Sequence, residues 1–285
     1  MSNFLDQLLV FPQRVAPQRA LSQAVRWITR REWPALVPGA IKTFCRFYEV
    51  DLAEALEPNP ARYASFNAFF TRALRDGARP VDPDPRAIVS PADGKVSQAG
   101  RIEHGQLLQA KGRYFSLEAL LASSPSAASV FEGGHYAVVY LSPRDYHRVH
   151  APLEFSIEEI SFVPGQLFSV NERTARAVDG LYALNERVVL SGHCAYGPCA
   201  VVLVGAMLVS SMNVNGFDLE SLERGAQRPV RERLAAPLQR AAGEEIGRFN
   251  MGSTVAVILP PGTPNWLAGL GEGSVVRMGQ RISQA

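Results

Sequence analysis

The chain has 285 residues, of which 47% are hydrophobic and 20% charged, with a formal net charge of +2. That length can bury a sizeable core in one large domain or two, and the composition excludes disordered and fibrous classes. The small net charge argues against a nucleic-acid partner.

The first 31 residues hold five arginines (Arg14, Arg19, Arg26, Arg30, Arg31) against one acid, Asp6, a net of +4. Leu21, Ala24, Val25 and Ile28 recur at the spacing of one helical face, and Phe4, Leu5, Leu8, Leu9 and Phe11 form a second apolar group. The pattern admits two readings. The helices pack on the protein body through that face, or they lie on a membrane with their arginines at anionic headgroups, each worth ~1 kcal/mol. The segment does not read as a secretory signal, because no basic residue precedes Phe4 and Leu5, and Pro12 and Arg14 interrupt the apolar stretch.

Residues 14–75 carry helical patterns that Pro34, Pro38 and Pro58-Asn59-Pro60 are expected to break. The run from Arg79 to Pro85, with prolines at 80, 83 and 85, is a stiff connector. Beyond Ile88, strand candidates alternate with turn signals: Gly94 to Ala99, Tyr136 to Leu141, Val188 to Leu190, Ala200 to Val209, Val255 to Leu259 and Val275 to Met278. One helix interrupts them, starting at Ser116 with Leu117, Leu120 and Leu121 on one face. The longest apolar run, Ala200 to Val209, has ten residues, half the ~20 that a membrane-spanning helix needs, and reads as a buried strand. The expected class is α+β: an N-terminal helical region (1–75) layered on a mainly antiparallel β body (76–285).

Three cysteines, Cys45, Cys194 and Cys199, argue against a disulfide framework and point to a reducing compartment. His193 beside Cys194 lacks the paired Cys-x-x-Cys spacing of a metal site, so no metal is expected. No glycine-rich loop of the dinucleotide or P-loop type occurs.

The densest chemical signal is Gly247-Arg248-Phe249-Asn250-Met251-Gly252-Ser253-Thr254, directly before a strand-like run. A hydroxyl residue after glycine suits an internal acyl shift, since glycine leaves its carbonyl unshielded and tolerates strain. Ser253 would move the chain onto its oxygen as an ester, lose it by β-elimination, and leave a pyruvoyl group after hydrolysis. The new chain, 253–285, would hold 33 residues (285 − 252), and the large chain would be 1–252. A pyruvoyl carbonyl can form a Schiff base with an amine and act as an electron sink. Gly-Ser-Thr is also an ordinary turn before a strand. Serine needs a base, normally a histidine oriented by a carboxylate. His147 and His150 are three apart in Tyr146-His147-Arg148-Val149-His150, on opposite faces if that segment is extended. Asp93, before Gly94, is by itself a turn residue.

Leu141 to His150, Ser90 to Gly94 and Gly247 to Thr254 together resemble the phosphatidylserine decarboxylase proenzymes of bacteria. So do Phe66-Asn67-Ala68-Phe69-Phe70-Thr71-Arg72 with Leu74-Arg75 and Arg79-Pro80, Ala110-Lys111-Gly112, Val163 to Asn171, and Asn185-Glu186-Arg187, in the family's order from about Val50 onward. Two positions depart from the pattern. Met251 replaces a usual leucine, an exchange that roughly conserves volume. Ser211-Met212-Asn213-Val214-Asn215-Gly216 stands where the family carries a Glu-Thr-Val-Trp-like segment, in the wall of the substrate pocket.

The resemblance implies self-cleavage between Gly252 and Ser253 by an Asp93, His150, Ser253 triad. Asp93 would orient His150, and His150 would take the Ser253 proton. It implies His147 as proton donor in decarboxylation, a role that an ordinary pKa near ~6.5 suits. Asp145 is near enough in sequence to orient either histidine. The implied reaction converts phosphatidylserine to phosphatidylethanolamine and carbon dioxide with a pyruvoyl cofactor and no metal. The implied enzyme is a homodimer held peripherally on the cytoplasmic side of the cell membrane. The alternatives are a pyruvoyl decarboxylase of another amino acid or serine lipid, and a catalytically dead membrane-binding scaffold.

Overall fold

The computed structural model describes residues 10–110, 112–207, 211–251 and 253–285. The apolar group at Phe4, Leu5, Leu8 and Leu9, the last residues of the 200–209 run, Lys111 and Gly252 lie outside the described residues. Helices come first: residues 10–15, then α1 (Gln18–Thr29), α2 (Val37–Tyr48) and α3 (Phe66–Phe70). The rest is an antiparallel β body, so the class is α+β.

The strands are β1 (Gly94–Arg101), β2 (Gln106–Ala110), β3 (Arg113–Ser116), β4 (His135–Leu141), β5 (Arg148–His150), β6 (Phe155–Val163) and β7 (Arg187–Cys194). They continue with β8 (Gly197–Val204), β9 (Met212–Val214), β10 (Val230–Arg240), β11 (Glu245–Phe249), β12 (Ser253–Leu259) and β13 (Val275–Val276). Eight of them form one sheet in the order β10-β6-β7-β8-β12-β4-β1-β13. A second sheet runs β5-β11-β9, and β2-β3 form a ribbon.

The central strands are apolar throughout because both faces of the large sheet are covered. Val255, Val257 and Leu259 of β12 share a core with Val149, Ile246 and Phe249 of the small sheet. Ala256 and Ile258, pointing the other way, join Leu107, Phe115, Leu117 and Leu120 from the ribbon and the short helix after it. β12 is hydrogen-bonded on both sides, Val255 standing opposite Val139 of β4 and Leu203 of β8. A third cluster joins Val37 and Ile41 of α2 to Phe69 and Phe70 of α3, with Phe44, Phe66 and Met251 packed against them.

Several expectations need correction. Pro38 does not break a helix; it lies in the first turn of α2, where its missing N–H costs nothing. The 200–209 run is strand only to Val204. The helix after Ser116 is present as α4 (Leu117–Leu121), its first turn capped by the Ser116 hydroxyl. Four more short helices accompany it, α5 (Pro125–Ala128), α6 (Glu172–Ala177), α7 (Leu181–Leu184) and α8 (Leu219–Glu223), each too brief to display a helical period. β10 also escaped the sequence pattern. It is a solvent-facing edge strand with Pro237 at a break in its register with β6, so alternation there is weak.

α1 docks on the body, but through its polar face. Gln18, Ser22 and Thr29 are buried, whereas Leu21, Trp27 and Ile28 are exposed by 41%, 55% and 50%. The Gln18 side-chain oxygen accepts from the Leu167 N–H at 2.7 Å, and Arg26 pairs with Glu220 at 2.9 Å. Hydrogen bonds fix the helix here and leave its apolar stripe in solvent.

Ile258→Ala should lower the unfolding free energy by ~2–5 kcal/mol, the range for truncating a fully buried aliphatic side chain. Val275→Ala, at an exposed position, should change it by under ~0.5 kcal/mol. Urea unfolding of the two variants checks the difference; equal losses would mean that β12 does not lie in a core.

Candidate active site

The chain leaves the small sheet at Phe249 and enters the large one at Ser253. Asn250, buried between them, is the anchor of this crossing. Its amide donates to the Ser211 carbonyl at 3.1 Å, the Ser211 hydroxyl at 2.7 Å and the Asn213 side chain at 2.7 Å. Asn67 of α3 donates to its oxygen at 3.3 Å. The atypical 211–216 segment therefore includes the edge strand β9, which pairs with β11 and holds the approach to Ser253. Met251 packs into the aromatic cluster of α2 and α3, so the peptide before Gly252 is fixed by polar contacts on one residue and apolar contacts on the next.

Ser253 opens β12 opposite Leu141 and is 1% exposed. Its hydroxyl has no hydrogen-bond partner, nor has that of Thr254. An unsatisfied buried hydroxyl costs about 1–3 kcal/mol, and such groups are rare outside reactive sites.

His150 ends β5 and is buried. Its Nδ1 lies 2.8 Å from the Gly243 carbonyl, which can only accept, so Nδ1 carries the proton and the lone pair is on Nε2. The Tyr146 hydroxyl donates to that Nε2 at 3.1 Å. Burial lowers the proton affinity of His150, opposed by the Gly243 carbonyl and by the charges of Glu245 and Asp93. This is a neutral base in a defined tautomer.

Asp93 does not hydrogen-bond His150, contrary to the expected triad geometry. Arg79 takes its carboxylate with two nitrogens, Nε donating at 2.9 Å, and the Met278 N–H donates to it at 2.8 Å. The Gly243 carbonyl occupies the orienting position instead. Asp145 orients neither histidine: its carboxylate accepts from the N–H and the hydroxyl of Ser142, both at 2.7 Å, and closes the turn after β4. Nothing in the sequence pattern marks Tyr146, Gly243, Asn250 or Arg79 for these contacts, although three of them sit inside the family motifs.

His147 precedes β5 and is completely buried, its ring stacked on Phe70 with centroids 4.0 Å apart. Neither ring nitrogen has a partner at hydrogen-bonding geometry; the Ser142 and Pro143 backbone lies near enough only to favour the proton weakly. Burial, with the nearby Arg72 cation adding to it, pushes its pKa down to about 3. The ordinary imidazole pKa expected from sequence does not apply to the uncut chain, because the aromatic cluster removes the ring from water.

Beside these groups lies a cavity of about 250 Å³ with Arg72, Asp93, Ser142, Asp145 and Tyr146 in its wall. Charged groups of both signs line the rest of it, Glu49, Asp51 and Glu54 against Arg79, Lys95, Arg144 and Arg277.

Residues 66–284 match the family model described as phosphatidylserine decarboxylase, and residues 8–49 match a second model described as PSD. A Pseudomonas fluorescens protein named phosphatidylserine decarboxylase proenzyme is 45% identical over 278 residues, 97% of this chain and 96% of that one. Proteins of the same name from Azotobacter vinelandii and Methylococcus capsulatus are 44% and 46% identical. They cover 98% and 94% of this chain, and 99% and 93% of their own lengths.

The neutral burial of His147 sets a pH dependence. As pH falls through ~6.5 the unfolded chain gains a proton on this ring, while the folded chain gains none until about 3. The unfolded state then binds more protons, so stability is complete above ~6.5 and is lost as pH falls toward the folded value. His150, also shifted down, acts in the same direction. Urea unfolding of uncut Ser253→Ala protein between about pH 7 and about pH 4 should show that loss. His147→Gln in the same background should flatten it; an unchanged slope would mean that His147 is protonated in the fold.

Proposed function

Because the chain belongs to the phosphatidylserine decarboxylase family, whose members are decarboxylases made as proenzymes, we propose that it cuts itself between Gly252 and Ser253 and decarboxylates phosphatidylserine to phosphatidylethanolamine. The observation that carries this reading is the buried, partnerless Ser253 hydroxyl at the head of the central strand, directly after a glycine.

In the first reaction the Ser253 hydroxyl attacks the Gly252 carbonyl carbon. The C–N bond breaks, an ester forms, and the nitrogen of residue 253 is freed. Loss of the α-proton then expels the Gly252 carboxylate, and water replaces the nitrogen, which leaves as ammonia. His150 takes the Ser253 proton. The Gly243 carbonyl supports that role by placing the lone pair on Nε2, and the Tyr146 hydroxyl must release that lone pair before His150 can act. Asp93 contributes as a negative charge that favours the imidazolium without touching it.

The residue left at 253 fits a pyruvoyl group: a three-carbon unit there needs no partner for a hydroxyl and sits where water is excluded. Once formed, that group would supply a carbonyl to capture the substrate amine and take up the electrons freed as carbon dioxide leaves. His147 delivers the proton that replaces the carboxylate. An anion arriving beside Arg72 offsets one of the two causes that keep this ring unprotonated, so substrate itself prepares the donor.

A phospholipid substrate calls for a membrane surface, and no helix among the described residues is long and apolar enough to cross one. The exposed stripe of α1, with Leu36 at 64% and Phe47 at 77% exposure, supports peripheral attachment. Arg26 and Arg30 face the protein, bonded to Glu220 and Ser211 at 2.9 Å, so the headgroup contacts fall to the exposed Arg14, Arg19 and Arg31.

Intact mass should show two chains, the smaller beginning at residue 253 without a free amine, and Ser253→Ala should remain one chain. His150→Ala should slow cleavage by ~10²–10⁴, and Asp93→Ala, which removes only a charge, should slow it less. His147→Ala should cleave yet release little carbon dioxide; the opposite pattern would exchange the two histidines' roles. Wild-type protein found only as full-length chain would favour the inactive scaffold.

For the membrane, sedimentation with vesicles containing phosphatidylserine separates two contributions. Leu21→Glu with Ile28→Glu should abolish most binding at low and high salt. Arg14→Gln with Arg19→Gln should remove the salt-sensitive part, and Arg26→Gln should change little. Unaltered binding by the double glutamate variant would exclude α1 as the contact.

A further inference from the structure

Arg72 follows the aromatic helix α3 and is buried to 5% exposure, yet two of its three guanidinium nitrogens, Nε and Nη1, have no partner. The third donates to the Arg144 carbonyl at 3.2 Å, and the guanidinium carbon lies 5.3 Å from the centre of the Phe69 ring. A buried cation is ordinarily paired, because removing its water without replacement costs several kcal/mol. No carboxylate hydrogen-bonds those two nitrogens: the two that act on its charge, Asp93 and Asp145, are engaged elsewhere, and Glu49 of the cavity wall is exposed. Asp93 is held by Arg79, and Glu54 pairs with Arg79 at 2.7 Å and Arg277 at 3.3 Å. Asp145 accepts twice from Ser142, and Asp51 accepts from the Ala53 N–H at 2.8 Å. The protein thus buries an arginine on the wall of the cavity and supplies no hydrogen-bonded anion for it, Asp93 and Asp145 acting only through their charge.

We infer that Arg72 is the phosphate-binding residue of the substrate site, donating to the phosphodiester of the serine phospholipid headgroup from one of its free nitrogens, Nε or Nη1. The inference rests on the decarboxylase reading. The substrate carries two anions, and their fates decide between them. The carboxylate leaves as neutral carbon dioxide, so a cation on it would stabilise the ground state more than the transition state and slow the reaction. The phosphodiester keeps its charge throughout, so an arginine there contributes equal binding before and during the reaction. Arginine's donors match phosphate oxygens in charge and geometry. Burial also lowers the proton affinity of Arg72, an effect that an incoming anion reverses.

That assignment has a kinetic signature: loss of uniform binding raises KM and spares kcat. With short-chain phosphatidylserine, cleaved Arg72→Gln enzyme should show KM raised ~10–100-fold, as for a charge-assisted hydrogen bond. Its kcat should stay within about threefold, and Arg72→Lys should recover part of the loss. A fall in kcat at unchanged KM, or no change in either, would overturn the assignment.

A binding measurement that needs no turnover keeps the test independent of variant maturation and of the decarboxylase reading. Glycerophosphoserine titrated into uncut Ser253→Ala protein, followed by phosphorus NMR, should bind and should compete with glycerophosphoethanolamine but not with serine methyl ester, which lacks phosphate. Adding Arg72→Gln should abolish that binding. Inorganic phosphate binding as tightly as glycerophosphoserine would make this a free-phosphate site and overturn the headgroup assignment, as would competition by the serine ester. If wild-type enzyme released no carbon dioxide from phosphatidylserine while glycerophosphoserine still bound through Arg72, the decarboxylase reading would fail and the phosphate site would stand.

Discussion

The pairing of β12 with both β4 and β8 is the constraint on which the rest of the molecule depends. It places Ser253 at the head of the most buried strand of the large sheet, where water cannot compete with an internal nucleophile. The proposed cut at this place would leave the molecule assembled. Residues 253–285 contain β12 and β13, so a fragment starting at Ser253 would enter three ladders and both main cores. Separating it would expose an apolar strand on both faces. The large chain would lose one covalent bond and keep its core.

Around that strand the molecule retains several groups whose burial is unfavourable as they stand. Ser253 and Thr254 hold hydroxyls without partners, His147 ring nitrogens without partners, and Arg72 two guanidinium nitrogens without partners. Other buried polar groups are bonded closely, although the hydroxyls of Ser22, Ser123 and Tyr182 also lack partners. The Asn185 side chain bonds both Phe168 and Gly205, and Arg187 donates to the carbonyls of Leu120, Ala183 and Asn185. Among the unpartnered groups Arg72 lines a charged cavity, where a buried group without a partner suits a site that awaits a substrate.

The sequence was informative where period and motif coincide with burial. Val255 to Leu259 and Tyr136 to Leu141 read as strands because both sheet faces are covered, and Ser116 read as a cap because hydroxyl capping is local. Three-dimensional partnership was not legible. The stripe Leu21, Ala24, Val25, Ile28 is a true helical face, yet pattern alone cannot tell that Gln18, Ser22 and Thr29 on the other side are the residues buried against the body, with Gln18 bonded to its backbone. Asp93 lies 57 residues before His150 (150 − 93), and no local rule says that Arg79 reaches its carboxylate first. His147 looked like an ordinary imidazole because the aromatic cluster that dries it is contributed by residues far earlier in the chain.

The polar docking of α1 links the outer surface to the cut. Arg30, just past α1, donates to the Ser211 hydroxyl, the same oxygen that receives the Asn250 amide, and Asn250 is two residues before Gly252. A continuous chain of hydrogen bonds therefore runs from the helix with the exposed apolar stripe to the peptide ahead of Ser253. The residues that complete it, Ser211 and Asn213, belong to the segment where this chain departs from the family pattern. Asn250 reaches the Ser211 carbonyl, the Ser211 hydroxyl and the Asn213 side chain at once. The 211–213 backbone and side chains thus hold the segment ahead of Ser253, and the helix that carries the exposed stripe is fastened to that same support.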